Sequence, residues 1–225
     1  MKRRDFLKNS AIAAGSASLV TSNLAGARSP GKASAETFNL LYAPHFGMFK
    51  NHAGEDYVDQ IKFMHDQGFR AMEDNGMKGR SLEDQKRIAA EMEKRDMKMG
   101  VFVAHKIYWG EPNLASGDPD LRKEFLTHIE ESVEVAKRVN AKWMTVVPGH
   151  IDPRLEIGYQ TAHVVESLRR ACEILEPHGL VMVLEPLNFY NHPGLFLTKI
   201  PQAYQVCQAV GSPSCKILDD LYHQQ

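Results

Sequence analysis

Cysteine is scarce in this sequence, and what there is lacks pattern. Cys172, Cys207 and Cys215 are the three present, and none belongs to a C-x-x-C pair. That spacing excludes a zinc ribbon or a dithiol redox motif, and an odd, sparse set makes a poor disulfide framework, so core thiols are expected. Charge of either sign is also lacking: the formal net charge is −1 and the isoelectric point is near 6.8. A chain so balanced, with no long basic run, has no electrostatic footprint for nucleic acid or an anionic membrane surface, which leaves a small molecule as the expected partner. No glycine-rich phosphate loop follows the first predicted strand, where His45-Phe46-Gly47 stands instead, and this argues against a dinucleotide-binding fold. With 43% hydrophobic and 24% charged residues, the 225-residue chain has the makeup of one ordinary globular domain rather than a disordered or collagen-like one.

The N-terminus reads differently from the rest. Arg3-Arg4 is followed by Phe6-Leu7-Lys8, a short run of apolar and small residues from Ser10 to Val20, and two A-x-A sites at Ala25-Gly26-Ala27 and Ala33-Ser34-Ala35. This order resembles a twin-arginine signal peptide, with Lys2 ahead of the arginine pair. The apolar run falls short of the roughly 20 residues a membrane span needs, so no stable membrane anchor is expected. The resemblance implies the twin-arginine export machinery as a partner, cleavage after Ala27 or Ala35, and a periplasmic or exported protein. Residues 1–35 are accordingly set apart as signal peptide and linker, and 36–225 as the folded domain.

From Phe38 onward, short apolar runs alternate with longer amphipathic ones. Strands are predicted over Phe38–Ala43, Phe69–Glu73, Met99–Ala104, Trp143–Val147, Leu180–Leu184 and Cys215–Asp219. Between them, apolar residues recur at helical spacing, as in Val164, Val165, Leu168, Cys172 and Leu175. Ser81-Leu82-Glu83-Asp84 looks like a capping box, and Asp118-Pro119 supplies an N-cap with a first-turn proline. Six βα repeats with nearly continuous apolar strands predict an α/β fold with a parallel sheet covered by helices. His45, Glu73, His105, His150, Glu185 and the Asp219-to-His223 group all follow strand ends, where a (β/α)8 barrel builds its active site. Six units are two short of closure.

Taken singly, Glu185 at the end of Val-Met-Val-Leu is as well explained by an ordinary surface acid as by a site, and the same holds for Asp220 and His223. Two successive strands that both end in acid-bearing segments change that balance, because neighbouring barrel strands place their ends side by side. Alternation alone does not choose between Asp219 and Asp220.

Leu184-Glu185-Pro186-Leu187-Asn188 and Asp220-Leu221-Tyr222-His223-Gln224-Gln225, with the repeats between them, resemble the xylose-isomerase-like TIM-barrel superfamily, most closely its hydroxypyruvate isomerase group. The resemblance runs from about Phe38 to Gln225. It implies a (β/α)8 TIM barrel of which the first six βα units are present. It also implies a metal-dependent isomerase or epimerase of a small hydroxy-carbonyl compound, hydroxypyruvate-like or a sugar, working through an enediolate. Glu185 and Asp220 match two of the family's metal ligands, Glu185 doubling as a proton-transfer group. The other two ligands, one of them a second proton-transfer glutamate, would lie beyond Gln225. One divalent ion, Mn, Mg or Co, suits so oxygen-rich a set. By the same resemblance His223 binds a substrate oxygen. Position alone makes Glu73, His105, His150 and Asn188 candidates for substrate binding, and His192, Phe46 and Trp109 candidates for the pocket wall. A homo-oligomer is compatible with all of this. Two alternatives remain open at this stage: a non-catalytic exported sugar-binding barrel, and an endonuclease IV-like phosphodiesterase, which the near-neutral charge disfavours.

Overall fold

A computed structural model describes residues 36–225; the signal-peptide reading and both cleavage sites lie outside these residues. Among the described residues five parallel strands form: β1 (Ala71–Met72), β2 (Lys98–Met99), β3 (Trp143–Val146), β4 (Val181–Leu184) and β5 (Cys215–Ile217). Seven α-helices accompany them among the described residues: α1 (Lys50–Ala53), α2 (Tyr57–Asp66), α3 (Leu82–Lys94), α4 (Pro119–Val139), α5 (Ile157–Leu175), α6 (Ile200–Val210) and α7 (Leu221–Gln224). β1 pairs with β2, and β3, β4 and β5 pair in that order. Single parallel bridges, Met99 to Ala141 and Val103 to Thr145, carry β2 across to β3. The strands therefore lie side by side in chain order, each crossover made by a helix, which is the winding of a βα barrel wall.

The helix boundaries follow local chemistry. Ser81 caps α3 by accepting from the Asp84 N–H, as the capping box predicts. Asp118 accepts from the N–H groups of Asp120 and Leu121 at the start of α4, with Pro119 in the first turn. Gly211, at φ +73, closes α6 in the left-handed conformation that glycine adopts without strain.

Alternation along the strands splits their side chains between two environments. Met72, Met99, Met144, Val146, Met182 and Leu184 face the helices and join one core with Ile61, Ile88, Phe125, Ile129, Val164 and Leu168. Burying each such side chain contributes about 1.5–3 kcal/mol. Thr145 and Val183, paired in register, lie on the opposite face. No helix among the described residues is long and apolar enough to cross a membrane.

The first predicted strand is the main difference. Phe38–Ala43 forms no strand, and Phe38, Leu40, Leu41 and Tyr42 are exposed. Its backbone ties to the residues flanking β1 are the Phe38 N–H to the Gly68 carbonyl and, further on, the Glu73 N–H to the Pro44 carbonyl with the parallel bridge from His45 to Glu73. With no strand on its other flank among the described residues, the segment lacks the two-sided pairing that fixes a buried parallel strand. The other predicted strands are present but shorter, and Met99–Ala104 contracts to Lys98–Met99 because the chain beyond makes single bridges only.

Candidate metal and substrate site

Glu185 is the first residue beyond β4, its N–H bonded to the Val146 carbonyl. Leu184 points into the helix-side core, so Glu185 turns to the face shared by Val183 and Thr145. In β5 the same rule operates: Cys215 and Ile217 pack on the helix side. That parity sends Leu218 and Asp220 toward Glu185 and leaves Asp219 exposed. The structure thus gives a physical reason for preferring Asp220 to Asp219, a choice that alternation left open and the family resemblance made.

Beyond Asp220 the chain turns at once into α7. Asp220 Oδ1 accepts from the Tyr222 N–H at 2.8 Å and caps the turn. The helical spacing then brings His223 back over the acid, with Nε2 3.6 Å from Asp220 Oδ2. Donor atoms of Glu185, Asp220 and His223 all lie within 4.8 Å of one another. His223 is buried, whereas both carboxylates are half-buried.

These acids line a cleft of about 300 Å³ together with Glu73, Asp219 and Thr145. Burial pushes the Glu185 carboxyl up to about 7, with the charges of Asp220 and Glu73 adding to it. Burial raises Glu73 as well; Asp220 acts in the same direction and His45 opposes it. Glu73 is held by its neighbour: Asp74 is buried and forms a two-pronged ion pair with Arg80, whose guanidinium lies 4.2 Å from the Tyr57 ring centre. A larger cleft, about 710 Å³, opens beside Cys207 and Cys215 and contains no carboxylate.

Asn188 joins the cluster through His223, and its loop brings further rings. His192 stacks on Trp109 at 5.1 Å and meets His223 edge-on at 5.5 Å, so the two loops flank the site. His105 and His150 do not line the cleft. His105 is buried, with Nδ1 donating to the Lys106 carbonyl and Nε2 accepting from the Val147 N–H, and burial pushes it down to about 4. Neither nitrogen is left for a ligand. His150 is half-buried, its Nδ1 engaged by the Ile151 carbonyl and its ring pressed against Gly194, where a Cβ would collide with it. Phe46 packs on Tyr57 and Arg80 rather than on the carboxylates.

Thr145, which also lines the cleft, carried no signal in a motif. The one hint is a hydroxyl residue set inside the apolar run Met144 to Val147. The two carboxylates suit a divalent cation, with the His223 imidazole beside them, and among the described residues this is the one cluster of three such groups.

A 26% identical match over 136 residues links the chain to a hydroxypyruvate isomerase of Escherichia coli, covering 56% of this chain and 53% of that protein. A 2-oxo-tetronate isomerase of Cupriavidus necator is 27% identical over 184 residues, 79% of this chain and 66% of that one. Among solved structures, an AP endonuclease, family 2, from Brucella melitensis superposes with a TM-score of 0.69 at 22% identity, covering 81% of this chain and 69% of that one. A D-psicose 3-epimerase from Clostridium cellulolyticum, solved with D-tagatose, gives 0.64 at 18%, covering 82% and 64%. The chain spans about half the length of the first of these relatives and two thirds of the second. Residues 61–225 match the model of the xylose isomerase-like TIM barrel family, and the chain belongs to that family.

Proposed function

We propose that this chain carries the metal-binding half of an isomerase or epimerase site for a small hydroxy-carbonyl compound. The observation that carries the proposal is the convergence of Glu185, Asp220 and His223 at adjoining strand ends. The relatives named as isomerases and the fold shared with a sugar epimerase support it. Glu185 and Asp220 would hold one divalent ion, Mn, Mg or Co, which when bound supplies Lewis-acid stabilisation of negative charge developing on substrate oxygens.

The chain's own residues account for the rest of the chemistry. Interconverting an α-hydroxy carbonyl compound with its isomer removes a proton beside a carbonyl and returns it to the neighbouring carbon. Glu185, half-buried and facing the cleft, would take and return that proton. His223 presents Nε2–H to a substrate oxygen, Asn188 fixes the ring, and Glu73 closes the opposite wall. His105 is assigned no part in the chemistry, since both its nitrogens are committed to the backbone. His150 is left as a loop support that could border a larger substrate. The six-unit reading of the barrel, counting the segment ahead of His45 as its first strand position, belongs to the same proposal. So does export by the twin-arginine route, which rests on Arg3-Arg4 and the apolar run behind them, and which N-terminal sequencing of the exported protein checks.

Replacing Glu185 by Gln removes the charge at nearly constant volume. Turnover in the whole protein should fall below detection while the melting transition stays cooperative. Retained turnover refutes the assignment.

A further inference from the structure

We propose that Cys207 and Cys215 are a reversible dithiol–disulfide pair, which a small anionic disulfide such as oxidised glutathione converts into a bond locking α6 to β5. The inference does not rest on the isomerase reading.

The α6–β5 connection builds the pair. Cys207 lies in the last turns of α6, Gly211 ends that helix, and Cys215 opens β5, eight residues after Cys207. The tight return leaves the two Sγ atoms 3.7 Å apart. A disulfide sets its sulfurs about 2.05 Å apart, so bonding asks for an approach of about 1.7 Å, which small side-chain rotations supply. Both backbones are tied at the turn: the Gly211 N–H donates to the Cys207 carbonyl and the Cys215 N–H to the Ser212 carbonyl. The contact is thus local to one helix, one turn and one strand. Closing so short a loop stabilises the fold by restricting the unfolded chain. Export by the twin-arginine route, proposed above, would bring the pair into an oxidising compartment, where disulfides persist.

The surroundings divide the roles. Cys207 is half-buried and Cys215 is 1% exposed, and both line the cleft of about 710 Å³. Lys216 is the one charged side chain on that cleft among the described residues, a cation suited to a small disulfide bearing carboxylates. Cys172, the third thiol, bears on Cys215 but is 2% exposed and does not line the cleft. Hydrogen bonding from Cys215 lowers the Cys207 thiol against the opposing effect of burial, and Lys216 adds to the lowering. Exposure and charge both make Cys207 the attacking thiolate. It bonds to one sulfur of oxidised glutathione, the S–S bond of the reagent breaks, and one glutathione leaves as thiolate, taking up the proton that Cys207 lost. Cys215 then attacks the Cys207 sulfur of the mixed disulfide and expels the second glutathione, which takes up the Cys215 proton. The two protein thiols are oxidised to one disulfide, and the reagent is reduced to two thiols.

The test uses the full chain, equilibrated at a series of reduced-to-oxidised glutathione ratios, quenched by thiol alkylation, digested with trypsin and weighed by mass spectrometry. Cys207 and Cys215 fall on one tryptic peptide, Ile200 to Lys216, whereas Cys172 falls on another. Oxidation should yield the Ile200-to-Lys216 peptide unalkylated and lighter by the two hydrogens lost, and dithiothreitol should reverse this. The oxidised protein should melt about 5 °C above the reduced one. Free thiols at every ratio, a bond to the Cys172 peptide, or glutathione retained on Cys207 overturns the inference, and a melting temperature that does not rise on oxidation overturns the lock. Cys215→Ser should trap glutathione on Cys207, and a folded variant without the adduct refutes Cys207 as the attacking thiol. The wild-type peptide result stands even if that variant misfolds.

Discussion

The Asn188 side-chain nitrogen lies 2.8 Å from Nδ1 of His223, and the Asn188 backbone N–H points at the same atom from 3.4 Å. A backbone N–H can only donate, so Nδ1 accepts and the neutral ring carries its proton on Nε2, the nitrogen turned toward Asp220. His223 is thereby set as a donor. Asn188→Asp offers an acceptor at Nδ1 and should shift the proton there, which imidazole nitrogen NMR resolves, with turnover falling about tenfold or more. An unchanged tautomer would show that the backbone N–H alone sets it.

Asp219 and Asp220 are adjacent and chemically alike, yet only Asp220 converges with Glu185. Asp220→Asn should lower Mn²⁺ affinity and turnover by more than tenfold, because a charged ligand and a cap on α7 are both weakened. Asp219→Asn should leave affinity within a few-fold. Calorimetric titration of both variants checks the ranking, and the reverse order would reverse the register of β5.

The Glu185 carboxyl, pushed up to about 7, also predicts how metal and pH interact. A carboxyl raised on folding favours the protonated form, so its contribution to stability is full below the unfolded value and lost as pH rises through 7. Metal binding needs the ionised form and should show the opposite trend. Added Mn²⁺ is expected to raise the melting temperature more at pH 8 than at pH 5.5, and a chelator to abolish the difference. Equal shifts at both pH values would mean that Glu185 is not a ligand.

His105 makes a separate prediction about acid stability. Its value is depressed from 6.5 to about 4 by burial, so the stabilising neutral ring is fully present above pH 6.5 and is lost as pH falls toward 4. The contribution is on the order of 3 kcal/mol across that window. Urea unfolding of the wild type and His105→Gln at pH 7.5, 5.5 and 4.5 should show a shallower pH dependence in the variant. Parallel curves would mean the ring titrates in the fold as it does in water.

The sequence by itself determined the family, the order of strands and helices, and which acids to suspect. Apolar periodicity, the caps at Ser81 and Asp118, and Glu185 and Asp220 beyond successive apolar runs are local features that survive folding because tertiary contacts reinforce them. It overestimated Phe38–Ala43, since an apolar run becomes a strand only where neighbours pair with it. Alternation along the chain left Asp219 and Asp220 open and the family motif preferred Asp220; the tertiary structure supplied the physical reason, through the packing of Cys215 and Ile217 against the helices. It also turned Leu221–Gln224 into a helical turn that swings His223 back over the acid, buried His105 out of reach, and left the Thr145 hydroxyl buried and unpaired beside the cleft. Each of these depends on which face a side chain presents and what lies opposite, a relation between distant segments that spacing along one chain does not contain.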